Sequence, residues 1–280
     1  MSSTLKKRTK KIFSKSLDNR SFSSSHKIMD IHNTIIKELL DNSNSSKKIN
    51  MEKYMKHTTE FRGINAPQVT IIFQKVWQDH IKTLKDFSQL SELAEILLKS
   101  SYGEDKSIGM MIYGKIFKEI DKNYIDTKVK SFFLEKNIVG WAMCDSLCGK
   151  FLRHWSLLSR ENTLFLSEWR NEENLWLKRA SCVSFVTRAK HGDKPPNFEG
   201  FTEILFQICN KVVECPERFA QLGCGWLLRE ISLSDKEKVK QFIQNNLDKF
   251  SREGLKYAVE KMNGQESKKI LENHKKTLKN

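Results

Sequence analysis

Four prolines and twelve glycines are few for 280 residues, and no segment alternates apolar and polar side chains with the period of two that a half-buried strand shows. Sheet sandwiches and barrels, which need frequent turn residues, are therefore not expected. No apolar run approaches the ~20 residues of a membrane-spanning helix, so a soluble protein is expected. Cysteines stand at 144, 148, 182, 209, 215 and 224 without a Cys-x-x-Cys pair, and the seven histidines show no His-x-x-x-His spacing. Nothing indicates a zinc site. No apolar stretch follows the basic N-terminal run, so no secretory leader is read and the thiols are expected to be reduced. Cys144 and Cys148, four apart, read as buried thiols on one face of a packed helix.

What the chain has in excess is positive charge and large apolar side chains. Its formal charge is +15, and 17 phenylalanines and 6 tryptophans are enough for a substantial core. The charge is unevenly placed. Residues 1–27 contribute +7 and residues 265–280 contribute +3, leaving +5 for the long stretch between. Bulk charge thus points to a polyanionic partner only weakly, because basic tails also serve as address signals or solubilisers. The run Lys6–Lys11 reads as a nuclear localisation signal or as a solvated basic arm, giving a nuclear protein in a eukaryote and a cytoplasmic one otherwise. Residues 1–26, rich in Ser and Lys, are expected to be disordered. A single helical domain is expected over 27–264, followed by a basic tail over 265–280.

From Ile28 onward apolar residues recur at spacings of three and four, as in Ile28, Ile31, Ile35 and Leu39, and again in Val69, Ile72, Phe73, Val76 and Trp77. Pro67 suits the first turn of the second of these helices. Further helices are expected at about 90–99, 106–120, 126–135, 139–158, 163–170, 174–188, 198–213, 217–231, 235–247 and 252–262. Breaks every 15 to 20 residues have the rhythm of helix pairs. The fold expected is all-α, a right-handed α-solenoid of HEAT-like helix pairs, with an irregular helical bundle as the alternative. The segment His191–Asn197, with two prolines and a glycine, is expected to be an exposed loop.

Four stretches place aromatic and charged side chains on common helical faces. Trp141 and Asp145 are four apart, and Trp176 and Arg179 three apart, so each pair shares one side of a helix. Trp226 follows Gly223 and Gly225, which permit close approach of a backbone or ligand, and precedes Arg229 and Glu230. Tyr54, Lys56 and Arg62 gather aromatic and cationic groups near an expected helix end. Singly, such tryptophans most often pack a core and such ion pairs are most often structural. Core packing is the reading for Trp77, Trp155 and Trp169.

In combination and in order, these segments resemble the AlkD-like family of DNA alkylation-repair enzymes, which are HEAT-like repeat DNA glycosylases. The resemblance runs from about Tyr54 to Met262. It rests on Trp141 with Asp145; on Asn174, Trp176, Leu177, Arg179 and Ala180; on Gly225, Trp226, Leu228, Arg229 and Glu230; and on Tyr54, Met55, Lys56, Gly63 and Ile64. Gly140 and Ala142 depart from the family, which often carries a tryptophan and an acid at those places; the stretch after Pro67 also lacks its basic residues. The resemblance implies a monomeric glycosylase that hydrolyses the N-glycosidic bond of N3- or N7-alkylated purines in double-stranded DNA, without metal or organic cofactor. It implies catalytic roles for Asp145, Trp141 and Trp226, and DNA contacts from Arg179, Trp176, Tyr54, Lys56 and Arg229, with Arg179 holding a phosphate. Two other readings share the fold. One is a non-catalytic HEAT-like scaffold binding DNA structure or a protein partner, whose mark would be loss of the carboxylate that Asp145 keeps. The other is a protein-interaction module with acidic or apolar residues on its concave face.

Overall fold

The computed structural model describes residues 25–277. The Lys6–Lys11 run and nearly all of the expected N-terminal arm lie outside them. Helix makes up 74% of the structure, and the described residues contain no strand. The chain divides into two compact units, 1–116 and 117–280.

The first unit begins with α1 (25–41), whose Ile28, Ile31, Ile35 and Leu39 are all buried. Then follow α2 (Ser45–Tyr54), α3 (Ala66–Asp79), α4 (Phe87–Leu98) and α5 (Gly103–Ile116). Asn65 caps α3 by accepting from the Gln68 N–H at 2.9 Å, and Pro67 sits in the first turn, where no backbone donor is lost. The turn before α3 is fixed from a distance. The carboxylate of Glu104, 3% exposed, accepts the backbone N–H groups of Arg62, Gly63 and Ile64, each at 3.0 Å. Asp105 takes the Arg62 guanidinium through two bonds of 2.7 and 2.9 Å. One end of α5 therefore organises the segment between α2 and α3.

In the second unit α6 (122–134) and α7 (141–156) each contain a wide π turn, at Ile125–Val129 and Cys148–Leu152. They are followed by α8 (Arg160–Ser167), α9 (Leu175–Val183), α10 (Phe201–Val212), α11 (Arg218–Ile231), α12 (Lys236–Asn245), α13 (Arg252–Ala258) and α14 (Gly264–Thr277). Helices α7, α9, α11 and α13 pack side by side in that order. Trp155 is wholly buried and donates Nε1–H to the Ile120 carbonyl at 2.8 Å, and Trp169 is 2% exposed, as core residues should be. Trp77, in the first unit, is only half-buried, with the Lys115 ammonium 5.6 Å from its ring centre.

Two expectations need adjustment. The helix expected over 174–188 stops at Val183 and resumes as the short turn Val186–Ala189, which lets Phe185 pack edge-on against Phe201 at 6.0 Å. The stretch expected as a basic tail over 265–280 is largely helical: α14 buries His274, whose Nε2 lies 2.9 Å from the Phe250 carbonyl oxygen. Glu266 anchors α14 further by pairing with Lys236 and Lys240 of α12.

Candidate active site

Helix α7 opens at Gly140, whose φ of 81° and ψ of 155° are accessible to glycine and strained for any L side chain. The next residue, Trp141, is therefore the first that can present a side chain from the helix proper. Trp141 and Asp145 stand one turn apart on the same half-buried face, and the wide π turn begins three residues after Asp145. The other face of α7 is sealed. The Cys144 thiol donates to the Trp176 carbonyl at 3.4 Å, and Cys148 to that of Ala180 at 3.9 Å. Burial pushes the Cys144 thiol far above its ordinary pKa, so it is a packing group and not a nucleophile.

Arg179 crosses from α9 to meet Asp145. Its Nε and Nη2 donate to the two carboxylate oxygens at 2.8 and 2.9 Å, a fork-on-fork pair, and its Nη1 donates to the Phe219 carbonyl at 2.9 Å. The arginine side chain is 6% exposed and the aspartate 18%. Burial works against the Arg179 cation, but the hydrogen bonds and charge of Asp145 outweigh it and raise its pKa. Each carboxylate oxygen keeps an acceptor position after its bond to Arg179, and the aspartate side chain remains part-exposed. Three of the five guanidinium N–H groups of Arg179 are used inside the protein, two on Asp145 and one on Phe219, so the residue assigned to a phosphate by the family resemblance is seated on Asp145 with one N–H left on each of Nη1 and Nη2.

Asn174 caps α9, accepting the N–H groups of Trp176 and Leu177 at 2.9 and 3.2 Å. The Trp176 ring lies 5.4 Å from that of Phe219 in a tilted stack. Phe219 thus braces Trp176 with its ring and Arg179 with its carbonyl. Sequence reasoning missed it; the available signal was an aromatic side chain seven residues before Trp226, on the same face of α11. Gly223, between them, faces Arg179: a Cβ there would lie 3.4 Å from the arginine Cγ.

Trp226 is half-buried, one turn beyond Gly223. The close approach expected at Gly225 is made by protein backbone: a Cβ there would stand 2.3 Å from the Gly254 carbonyl oxygen of α13. Arg229 lies 5.8 Å from the ring centres of both Trp226 and Tyr257. Its guanidinium donates to Glu230 at 3.0 Å and to Glu260 at 2.6 Å. Arg229, expected on DNA, is therefore held between two carboxylates. Trp141, Asp145, Trp176, Arg179 and Trp226 all lie along the adjoining helices α7, α9 and α11 of the second unit.

Tyr54 and Lys56 belong to the first unit, at the exposed end of α2, with Tyr54 70% exposed and Lys56 in the left-handed region at φ 52°. Arg62 is not available beside them, since it is paired with Asp105 and stacked 4.0 Å over Tyr102. Among the described residues no group of three or more His, Cys, Asp or Glu side chains could hold a metal ion.

The family model for the DNA alkylation repair enzyme matches residues 35–262. Among solved structures the chain is similar to the predicted DNA alkylation repair enzyme from Enterococcus faecalis, with a TM-score of 0.68 and 16% identity over 80% of this chain and 98% of that one. Comparison with curated proteins gives no match.

Proposed function

The chain belongs to the DNA alkylation repair enzyme family, and from that premise we propose that it is a DNA glycosylase releasing positively charged N3- or N7-alkylated purines from double-stranded DNA. The observation that carries this reading is the part-exposed Asp145, its carboxylate fixed through both oxygens by a buried Arg179, with Trp141 one turn away on the same helix. In the same reading the helix pairs of the second unit are HEAT-like repeats, with α7, α9, α11 and α13 forming the DNA-facing row.

Alkylation at N3 or N7 leaves the purine with a formal positive charge, which makes it a good leaving group. As the glycosidic bond stretches, its electron pair moves to the base and positive charge develops on the sugar. A carboxylate held against the deoxyribose stabilises that charge and orients the attacking water, an effect worth on the order of 10²–10³ in rate. Asp145 takes this role. The indole faces of Trp141 and Trp226 attract the cationic base and sugar, at roughly 1–2 kcal/mol each when desolvated. Arg179 acts as a positioning residue: its fork prevents the carboxylate from rotating away. Trp176, Tyr54, Lys56 and the outer edge of Arg229 are the groups proposed to follow the DNA backbone. The chemistry calls for no metal or organic cofactor, because the lesion supplies its own activation.

Incubation with duplex DNA carrying 7-methylguanine, followed by chromatography of the released material, tests the assignment. Free 7-methylguanine and an abasic site are expected, with no release of an uncharged lesion such as 1,N6-ethenoadenine. Tight binding of the damaged duplex without base release would instead support a non-catalytic scaffold on the same fold.

A further inference from the structure

The exposed loop His191–Asn197 has no part in the reaction above, yet it is held with unusual completeness. The Asn197 side chain donates to the carbonyls of Arg188 and Gly192 at 3.1 and 2.7 Å, and accepts from Arg188 Nε at 2.8 Å. Arg188 is 4% exposed and anchored below the loop by Ser156 Oγ at 3.1 Å. From the far side Ser234 Oγ donates to the Ala189 carbonyl at 3.1 Å. Beside the braced loop lies an open pocket of about 570 Å³ whose wall includes Lys190, His191, Lys194 and Lys238, with Leu233 and Pro195 as its apolar part.

Two carboxylates also line the cavity, and both are occupied. Asp193 accepts the backbone N–H groups of Gly200 and Thr202 at 2.9 and 2.7 Å, which holds its pKa below the ordinary range despite an opposing contribution from burial. Asp235 caps α12 through the Lys238 N–H at 3.0 Å and pairs with the Lys238 ammonium at 3.4 Å. Among the described residues Lys190, His191 and Lys194 have no carboxylate partner. Two lysine ammoniums and an imidazole on a pre-braced frame, beside acids already engaged by backbone N–H groups and by Lys238, suit a phosphate, and the apolar wall suits the organic part of its ester.

We propose that this cavity is a phosphate-ester site, built by Lys190, His191 and Lys194 and separate from the Asp145 site. Its ligand is a backbone phosphate of DNA or a free nucleotide. The site stands whether or not base release is found, since none of its residues contributes to the Asp145 site.

The test uses the full chain and two probes, inorganic phosphate and deoxyadenosine monophosphate, followed on the ring protons of His191 by NMR, with His191→Gln to identify the signal. Saturable movement is expected in the parent, absent with chloride at equal ionic strength, and at least tenfold weaker in the Lys190→Gln/Lys194→Gln double variant. Affinity for an undamaged duplex against salt then separates the two sources. A slope shallower by about two in the double variant makes the ligand a DNA phosphate, because each phosphate contact contributes roughly 0.9. An unchanged slope with nucleotide binding lost makes it a free phosphate ester. No saturable movement in the parent, or an equal response in the double variant, overturns the proposal.

Discussion

Replacing Arg179 by lysine separates the role the structure gives this residue from the one its family resemblance suggests. Arginine makes three bonds at this site, two charge-assisted to Asp145 and one to the neutral carbonyl of Phe219. A lysine ammonium is a single point and cannot serve both carboxylate oxygens and the carbonyl across the same span. Charge-assisted bonds contribute roughly 1.5–3 kcal/mol each, and a carbonyl left without a donor costs about 1–3 kcal/mol. Lysine recovers one bond, and with the aspartate side chain 18% exposed, water can replace part of the rest. The net loss of stability is therefore about 2–3 kcal/mol, visible as a lower urea midpoint at unchanged slope. Asp145 is freed to rotate, and a misplacement of about 1 Å costs on the order of 10² in rate. Single-turnover release of 7-methylguanine should fall by that factor, while affinity for undamaged duplex stays near that of the parent. Arg179→Gln adds the discriminating measurement, the slope of log affinity against log salt. With Arg179 committed to Asp145 that slope is unchanged. A slope shallower by about one, with base release by the lysine variant near the parent's, would place the guanidinium on a DNA phosphate and refute the reasoning.

Two further outcomes follow from features outside the site. Lys106 is 6% exposed, and burial lowers its pKa to about 8. The unfolded chain holds that proton up to the ordinary lysine range, so between those values the unfolded state binds more protons and this residue's contribution to stability rises with pH. Lys106→Met removes this penalty together with the ammonium's buried bond to the Leu98 carbonyl at 3.1 Å, so its stability relative to the parent should fall as pH rises from 7 to about 10 in parallel urea titrations; a difference constant with pH would contradict the account. Gly225→Ala should lower stability by several kcal/mol, because its Cβ would stand 2.3 Å from backbone of α13, whereas Gly149→Ala, with nothing within 4 Å, should raise it by about 0.5–1 kcal/mol in thermal unfolding.

Much of the fold was legible because helical burial is periodic. Ile28, Ile31, Ile35 and Leu39 line one face of α1 by spacing alone, and all are buried. The break in α9 was not legible, since it serves the packing of Phe185 on Phe201, a contact made with a residue of another helix. Helix α14 escaped for a related reason: its docking depends on His274 and on Glu266 reaching α12, and its own apolar content is sparse. In the site, spacing placed Trp141 with Asp145, and Trp176 with Arg179, on common faces. It could not say that Arg179 faces a carboxylate 34 positions away, that Arg62 faces one 43 away, or that Arg229 is shared by Glu230 and Glu260. Each of these cations looked available in sequence because its partner is set by tertiary packing. The departure at Gly140 acquires a physical reason only once its backbone angles are known.

The central claim is that the Asp145 carboxylate stabilises charge developing on the sugar. Its most direct test is single-turnover base release from duplex DNA carrying 7-methylguanine, with Asp145→Asn compared to the parent at saturating enzyme. Asparagine keeps one acceptor for Arg179 and removes the negative charge, so a fall of on the order of 100-fold with undiminished duplex binding is predicted. Equal rates for the two proteins would contradict it.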